Sequence, residues 1–223
     1  MADDFNALEH YEIQTGLLVW SGFFNEADLG VYLADLAYDP DAKDIAGEIE
    51  SHARAEISKK REAEKAWPDT TDCDRLDAAF QALEDQKILA LHNAGYTAQD
   101  AAADAWDIIN REPKGAWDGY CYYHGQDVER AVQSFPLFIG FDAVADDEKA
   151  KRAIGERVAA ALRGADFEVD WSGDPETRMS ITNIDWKRRT QWERTGQSET
   201  AETLQAGPAT GASLDGWFRG LLG

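Results

Sequence analysis

The chain has 223 residues, of which 43% are hydrophobic and 11% aromatic, including eight Trp; a sizeable core can be buried, and a disordered main body is excluded. Asp and Glu outnumber Lys and Arg by 43 to 22, a formal net charge of -21. That charge repels DNA, RNA and anionic lipid and favours basic partners, cations and solubility. An acidic surface that keeps a cytosolic protein dispersed, or adapts it to salt, explains the same charge without any partner.

Met1 runs straight into Ala2, Asp3 and Asp4 with neither a basic nor an apolar leader, so no signal peptide is expected. No apolar run approaches membrane-spanning length. The expected compartment is the cytoplasm, where Cys73 and Cys121, which form neither a CxxC pair nor a zinc spacing, stay reduced.

The first ordered segment is Glu12 to Phe24, a strand or a short helix around Leu17, Leu18, Val19 and Trp20. Asn25 caps a helix from Glu26 to about Tyr38, with Leu29, Leu33 and Leu36 on one face. Asp39 and Pro40 stop it, and Asp41 opens a long helix to about Ala66. Lys59, Lys60, Arg61 and Lys65 lie in its C-terminal half, where their sign complements the helix dipole. The spacing of Thr71 and Asp74 predicts a capped helix from Asp72 to about Asp85 that buries Leu76, Phe80 and Leu83. A strand Lys87 to His92 follows, then a helix Ala98 to Arg111 capped by Thr97.

The second half alternates. Gly119 to His124 is a strand, Gln126 to Ser134 a short helix, Pro136 to Asp142 a strand, and Asp146 to Arg163 a helix. Phe167 to Trp171 and Arg178 to Trp186 close the pattern as a hairpin about the turn Gly173-Asp174-Pro175-Glu176. Trp67 and Trp186, at the ends of ordered elements, are expected to be buried or nearly so. The fold class is therefore α+β, a mixed sheet with packed helices. The organisation reads as a mainly helical N-terminal part over 1–66, an α+β domain over 67–194, a flexible linker over 195–213 and an amphipathic peptide over 214–223.

The segments WPDTTDCDRLDAAFQAL (Trp67 to Leu83), LHNAGYT (Leu91 to Thr97), GYCYYHGQDVERAV (Gly119 to Val132), FEVDWSGDPETR and IDWKRR (Phe167 to Arg189) resemble an uncharacterised bacterial domain-of-unknown-function family. The resemblance covers a little over half the chain and implies a fold but no activity. Ala101 and Ala102 depart from it, because similar sequences carry a glycine after the Asp.

The candidate chemistry is positional. His92 ends one strand and His124 another, each before a turn and a helix start; Asp142 ends a third. If the strands run parallel, these ends share one sheet edge, where open α/β sheets bind ligands. His92, His124, Gln126, Asp127 and Asp142 then form a ligand-binding set able to hold a metal or share acid-base work. Capping by Gln126 and Asp127, and a local Asp127–Arg130 ion pair, explain the same residues structurally. Cys121 lies in a strand with Tyr123 on its face; Tyr120, Tyr122 and His124 lie on the other, which separates Cys121 from His124. No GxSxG, HExxH, P-loop or GxGxxG occurs, and no sequence feature calls for a cofactor.

Leu214, Trp217, Phe218, Leu221 and Leu222 fall on one helical face after the polar linker, a pattern for a short docking peptide acting in cis or on a partner. Three functions follow as expectations. The first is a non-catalytic acidic binding or regulatory module for a basic protein partner, as in an immunity protein that occupies a nuclease's phosphate-binding cations. The second is a small-ligand or metal-dependent enzyme with its site around His92 and His124. The third is a cargo protein carrying a C-terminal docking peptide.

Overall fold

The computed structural model describes residues 6–193, so the linker and the candidate docking peptide, with Leu214, Trp217, Phe218, Leu221 and Leu222, lie outside the described residues. The chain divides into two units. One comprises the residues up to Thr71 together with the segment that begins at Lys187; the other is Asp72–Trp186. The fold is α+β, with a mixed sheet in the second unit.

The first unit is helical: α1 (Ala7–Ser21), α2 (Glu26–Leu36) and α3 (Ala46–Glu64). The segment read as strand or short helix is α1. Leu17, Leu18 and Val19 are consecutive and all buried, so no one-sided pattern marks the helix. Gly22 ends it at φ 83°, and a Cβ there would collide with the Arg188 carbonyl, so the position needs glycine. Asn25 caps α2 as expected: its side chain accepts from Ala27 and Asp28 N–H, and Asp28 accepts from Asn25 N–H. The helix expected from Asp41 begins at Ala46, after a run of turns.

Lys60 departs most from its sequence reading. It does not face solvent at a helix end; it is wholly buried. Its ammonium donates to the Val19 carbonyl at 2.9 Å and to Thr190 Oγ1 at 2.7 Å, with Glu64 at 3.8 Å. Glu64 in turn accepts the Thr190 backbone N–H and the Trp192 indole N–H. The returning segment is thereby pinned to α3 through polar groups that have lost their water. Arg188 lies over the Phe23 ring at 4.7 Å and adds a further tie.

The second unit holds α4 (Asp72–Glu84), β1 (Ile88–Leu91), α5 (Ala98–Arg111), β2 (Gly119–Tyr122), α6 (Gly125–Val132), β3 (Leu137–Ala143), α7 (Glu148–Gly164), β4 (Val169–Asp170) and β5 (Met179–Ile181). Strand order is β1-β2-β3-β5-β4. Only β1 and β2 are parallel, joined through α5; the other neighbours are antiparallel. α4 and α7 pack together on one face, against β1 and β3. On the other face α5 covers Leu89, Leu91, Tyr120 and Tyr122 with Ala101 and Ala105. The β3 and β5 part of that face carries the site described below.

β1 is an edge strand whose residues are all buried. The Glu84 carboxylate accepts the Ala90 N–H; burial raises its pKa and this bond opposes the rise. That contact occupies one backbone N–H of this edge strand. Trp67 and Trp186 are half-buried rather than fully so, and Trp186 meets Tyr123 edge-on at 5.9 Å.

Replacing Lys60 by Ala leaves the Val19 carbonyl, the Thr190 hydroxyl and the Glu64 carboxylate short of a donor. We expect Lys60→Ala to lower stability by about 3 kcal/mol and Lys60→Met, which refills the volume, by clearly less. Urea titration of the full chain measures both, and equal losses in the two variants would assign Lys60 a packing role only.

Candidate functional site

β2 sets the site by alternation. Tyr120 and Tyr122 stack on one face at 6.2 Å, and His124 continues the row at 6.4 Å from Tyr122. Cys121 and Tyr123 point to the other face. Cys121 is wholly buried there, and burial, with the Glu84 charge, pushes its thiol far above the usual range; it is held as an unreactive thiol.

The two histidines are neighbours in the sheet but not partners. His92 stacks on Phe80 at 4.6 Å, and its Nδ1 lies 2.8 Å from the Tyr123 hydroxyl and 3.6 Å from Asp77. It therefore belongs to the Cys121 and Tyr123 face, whereas His124 belongs to the face of Tyr122. Asp142 is also separated from both. β3 runs antiparallel to β2, with Asp142 opposite Tyr120 and Ala143 opposite Gly119, so Asp142 lies at the other edge of the sheet from His124. Gln126 is exposed in the first turn of α6. Of the five sequence candidates, only His124 and Asp127 meet. No group of three His, Cys, Asp or Glu among the described residues is placed to hold a metal ion.

His124 and Asp127 meet around a residue the sequence reading did not select, Arg178. Asp127 is 1% exposed. Its carboxylate accepts the His124 backbone N–H at the start of α6 and two N–H groups of Arg178, at 2.7 and 3.1 Å. The expected Asp127–Arg130 pair is not formed in this way: Arg130 lies over the Phe135 and Phe138 rings. Arg178 Nη1 also lies 2.9 Å from His124 Nε2. A guanidinium only donates, so Nε2 accepts from Arg178 in the tautomer that carries its proton on Nδ1; Nε2 also lies 3.1 Å from Asp127 Oδ2. Burial lowers the His124 pKa; Asp127 opposes that and Arg178 adds to it.

Arg178 stands over Phe138 at 5.0 Å and lines a cleft of about 210 Å³. Its floor is Tyr120, Tyr122 and Gly140, and a Cβ at Gly140 would collide with the Tyr122 ring. At its far end Lys151 of α7 lies 3.0 Å from Glu176 and 3.9 Å from Asp142. Burial acts to lower the Lys151 pKa, but the Glu176 hydrogen bond and the Asp142 and Glu176 charges outweigh it and raise it. Tyr120 is pushed up to about 12, by burial first and then by Asp142 and Tyr122.

Asp142, Lys151 and Glu176 also line a second, adjoining cleft of about 540 Å³, with Trp106, Asp146, Asp147 and Glu148. Trp106 is 37% exposed and meets Tyr120 edge-on at 6.1 Å. Asp147 caps α7 through Lys149 and Ala150 N–H. α5, which carries Trp106, also carries Asp100, Asp104 and Asp107. Burial first, and then the charges of Asp100 and Asp107, raise Asp104 to about 6.

The model of the family described as "Domain of unknown function (DUF6891)" matches residues 4–190. The chain belongs to this family. The match takes in the helical unit as well as the sheet, a wider span than the segments that carry the sequence resemblance. No curated protein and no solved structure matches the chain. No helix among the described residues is long and apolar enough to cross a membrane.

Because the folded-state pKa of Asp104, about 6, lies above the usual carboxylate range, its ionisation opposes folding. This contribution is absent below about pH 4 and develops as pH rises through 6. Asp104→Asn should therefore raise the melting temperature at pH 8 and leave it unchanged near pH 4, as followed by thermal unfolding across that range. An equal shift at both pH values would remove ionisation as the cause.

Proposed function

We propose that the protein is a non-catalytic binding module for a basic protein partner, engaged through the acidic cleft beside Trp106. The observation that supports this reading is the balance of that cleft: Asp142, Asp146, Asp147, Glu148 and Glu176 line it against a single cation, Lys151. A half-open indole at the rim offers a face to an incoming guanidinium or ammonium, an interaction that strengthens as water is excluded. Asp147 and Glu148 sit at the start of α7, beside the positive end of the helix dipole. The net charge of -21 steers a basic partner towards the protein before any contact forms.

The chemistry of the neighbouring groups agrees with binding rather than turnover. The buried thiol of Cys121 is poorly ionised, and the His124 ring is held by Arg178 and Asp127.

The test is a titration of the full chain with an arginine-rich peptide blocked at both ends, followed by Trp fluorescence and calorimetry. Raising salt from about 0.05 to about 0.5 M, which shortens the screening length severalfold, should weaken binding by roughly an order of magnitude or more. Trp106→Ala and the double variant Asp146→Asn with Glu148→Gln should each weaken it at low salt. Binding that ignores both salt and these substitutions would rule this cleft out as the partner's seat.

A further inference from the structure

The 210 Å³ cleft is unlike the acidic cleft it adjoins, because its inner end is cationic. Arg178 has five N–H donors. Nη1 uses one on Asp127 Oδ2 and one on His124 Nε2, and Nη2 uses one on Asp127 Oδ1. The Nε–H and the second Nη2–H remain, side by side on one edge of the guanidinium, with no acceptor among the described residues. Such an edge is a fork that matches the two oxygens of a carboxylate. It is also held still, because the buried Asp127 and the Phe138 ring fix the guanidinium while 32% of the side chain stays exposed.

The surroundings fit an anion of limited size. The Tyr122 hydroxyl has no hydrogen-bond partner among the described residues; burial raises its pKa first, and the Arg178 and Lys151 charges oppose that while Asp127 and Asp142 add to it. The sheet register gives the spacing to the acidic end. Ile139 pairs with Met179, so Arg178 enters level with Gly140, which pairs with Tyr122; Asp142 pairs with Tyr120, two residues further along. Two strand residues separate these rows by about 7 Å. That is within the reach of one extended Lys or Arg side chain from its own carboxylate.

We infer that the joined clefts read a free chain end: a partner whose last residue is Lys or Arg, with its terminal carboxylate on the open edge of Arg178 and its side-chain cation among the carboxylates beside Trp106. This rests on the binding function proposed above and adds to it the part of the partner that is recognised. Asp127 neutralises part of the Arg178 charge, so the fork supplies direction more than bulk attraction.

The experiment compares two fluorescein-labelled peptides of one sequence ending in Lys-Arg, one with a free C-terminal carboxylate and one amidated, by anisotropy against the full chain. A charge-assisted bidentate contact should make the free acid bind about tenfold tighter or more. Arg178→Lys keeps the charge but not the fork, so the preference should shrink to less than about threefold. Tyr122→Phe, which leaves the Asp127–Arg178 pair intact, should also reduce the preference and serves if Arg178→Lys fails to fold. Equal binding of acid and amide to the unaltered chain overturns the chain-end inference and leaves the acidic-cleft function standing. Failure of both peptides to bind overturns the two together.

Discussion

The ion pair between Asp127 and Arg178 governs the second unit. A carboxylate this deeply buried is tolerated only with its charge met and its oxygens occupied. Asp127 meets both needs by serving two elements at once: it closes the first turn of α6 through the His124 N–H and receives the guanidinium that enters from β5. The same contact brings Arg178 against the His124 ring at 2.9 Å. Breaking it from either side would leave a charge stranded in the sheet, which is why Arg178 stands fixed at the wall of the cleft.

Where elements depend on local signals, the residues announced them. Asn25 and Thr97 cap the helices expected of them, and α5 spans the interval from Ala98 to Arg111 that its sequence marks. Where burial is two-sided or partners are remote, they did not. α1 lacks a polar stripe over Leu17, Leu18 and Val19, so its period is hidden. Lys60 falls on the stripe of Ile49, Ala53 and Ile57, all buried, a spacing that puts it on the packed face; a lysine near a helix end reads as solvated only if that spacing is ignored.

Strand direction decided how far the candidate site was legible. A parallel β2–β3 pair would have gathered His124 and Asp142. The connecting helix α6 has eight residues, roughly 12 Å of rise. β3, with seven residues, runs about 24 Å, too far for so short a helix to carry the chain back to its start. The chain therefore turns and descends β3 antiparallel, which sends Asp142 to the opposite edge and brings Lys151 and Glu176 to it instead. Arg178 escaped notice for a different reason. Its partner Asp127 lies 51 residues away in sequence, beyond the reach of any local pattern, and the nearer Arg130 offered itself as a false match.

The helical unit is discontinuous in sequence: α1 to α3 come first, and the segment that buries Lys60 beside Thr190 and Trp192 comes only after the whole of Asp72–Trp186. During synthesis, which proceeds from the N-terminus, three helices emerge with an uncovered ammonium in their core and wait for more than a hundred residues of sheet and helix to be made. The unit whose synthesis begins first is thus completed only after Asp72–Trp186 has been made.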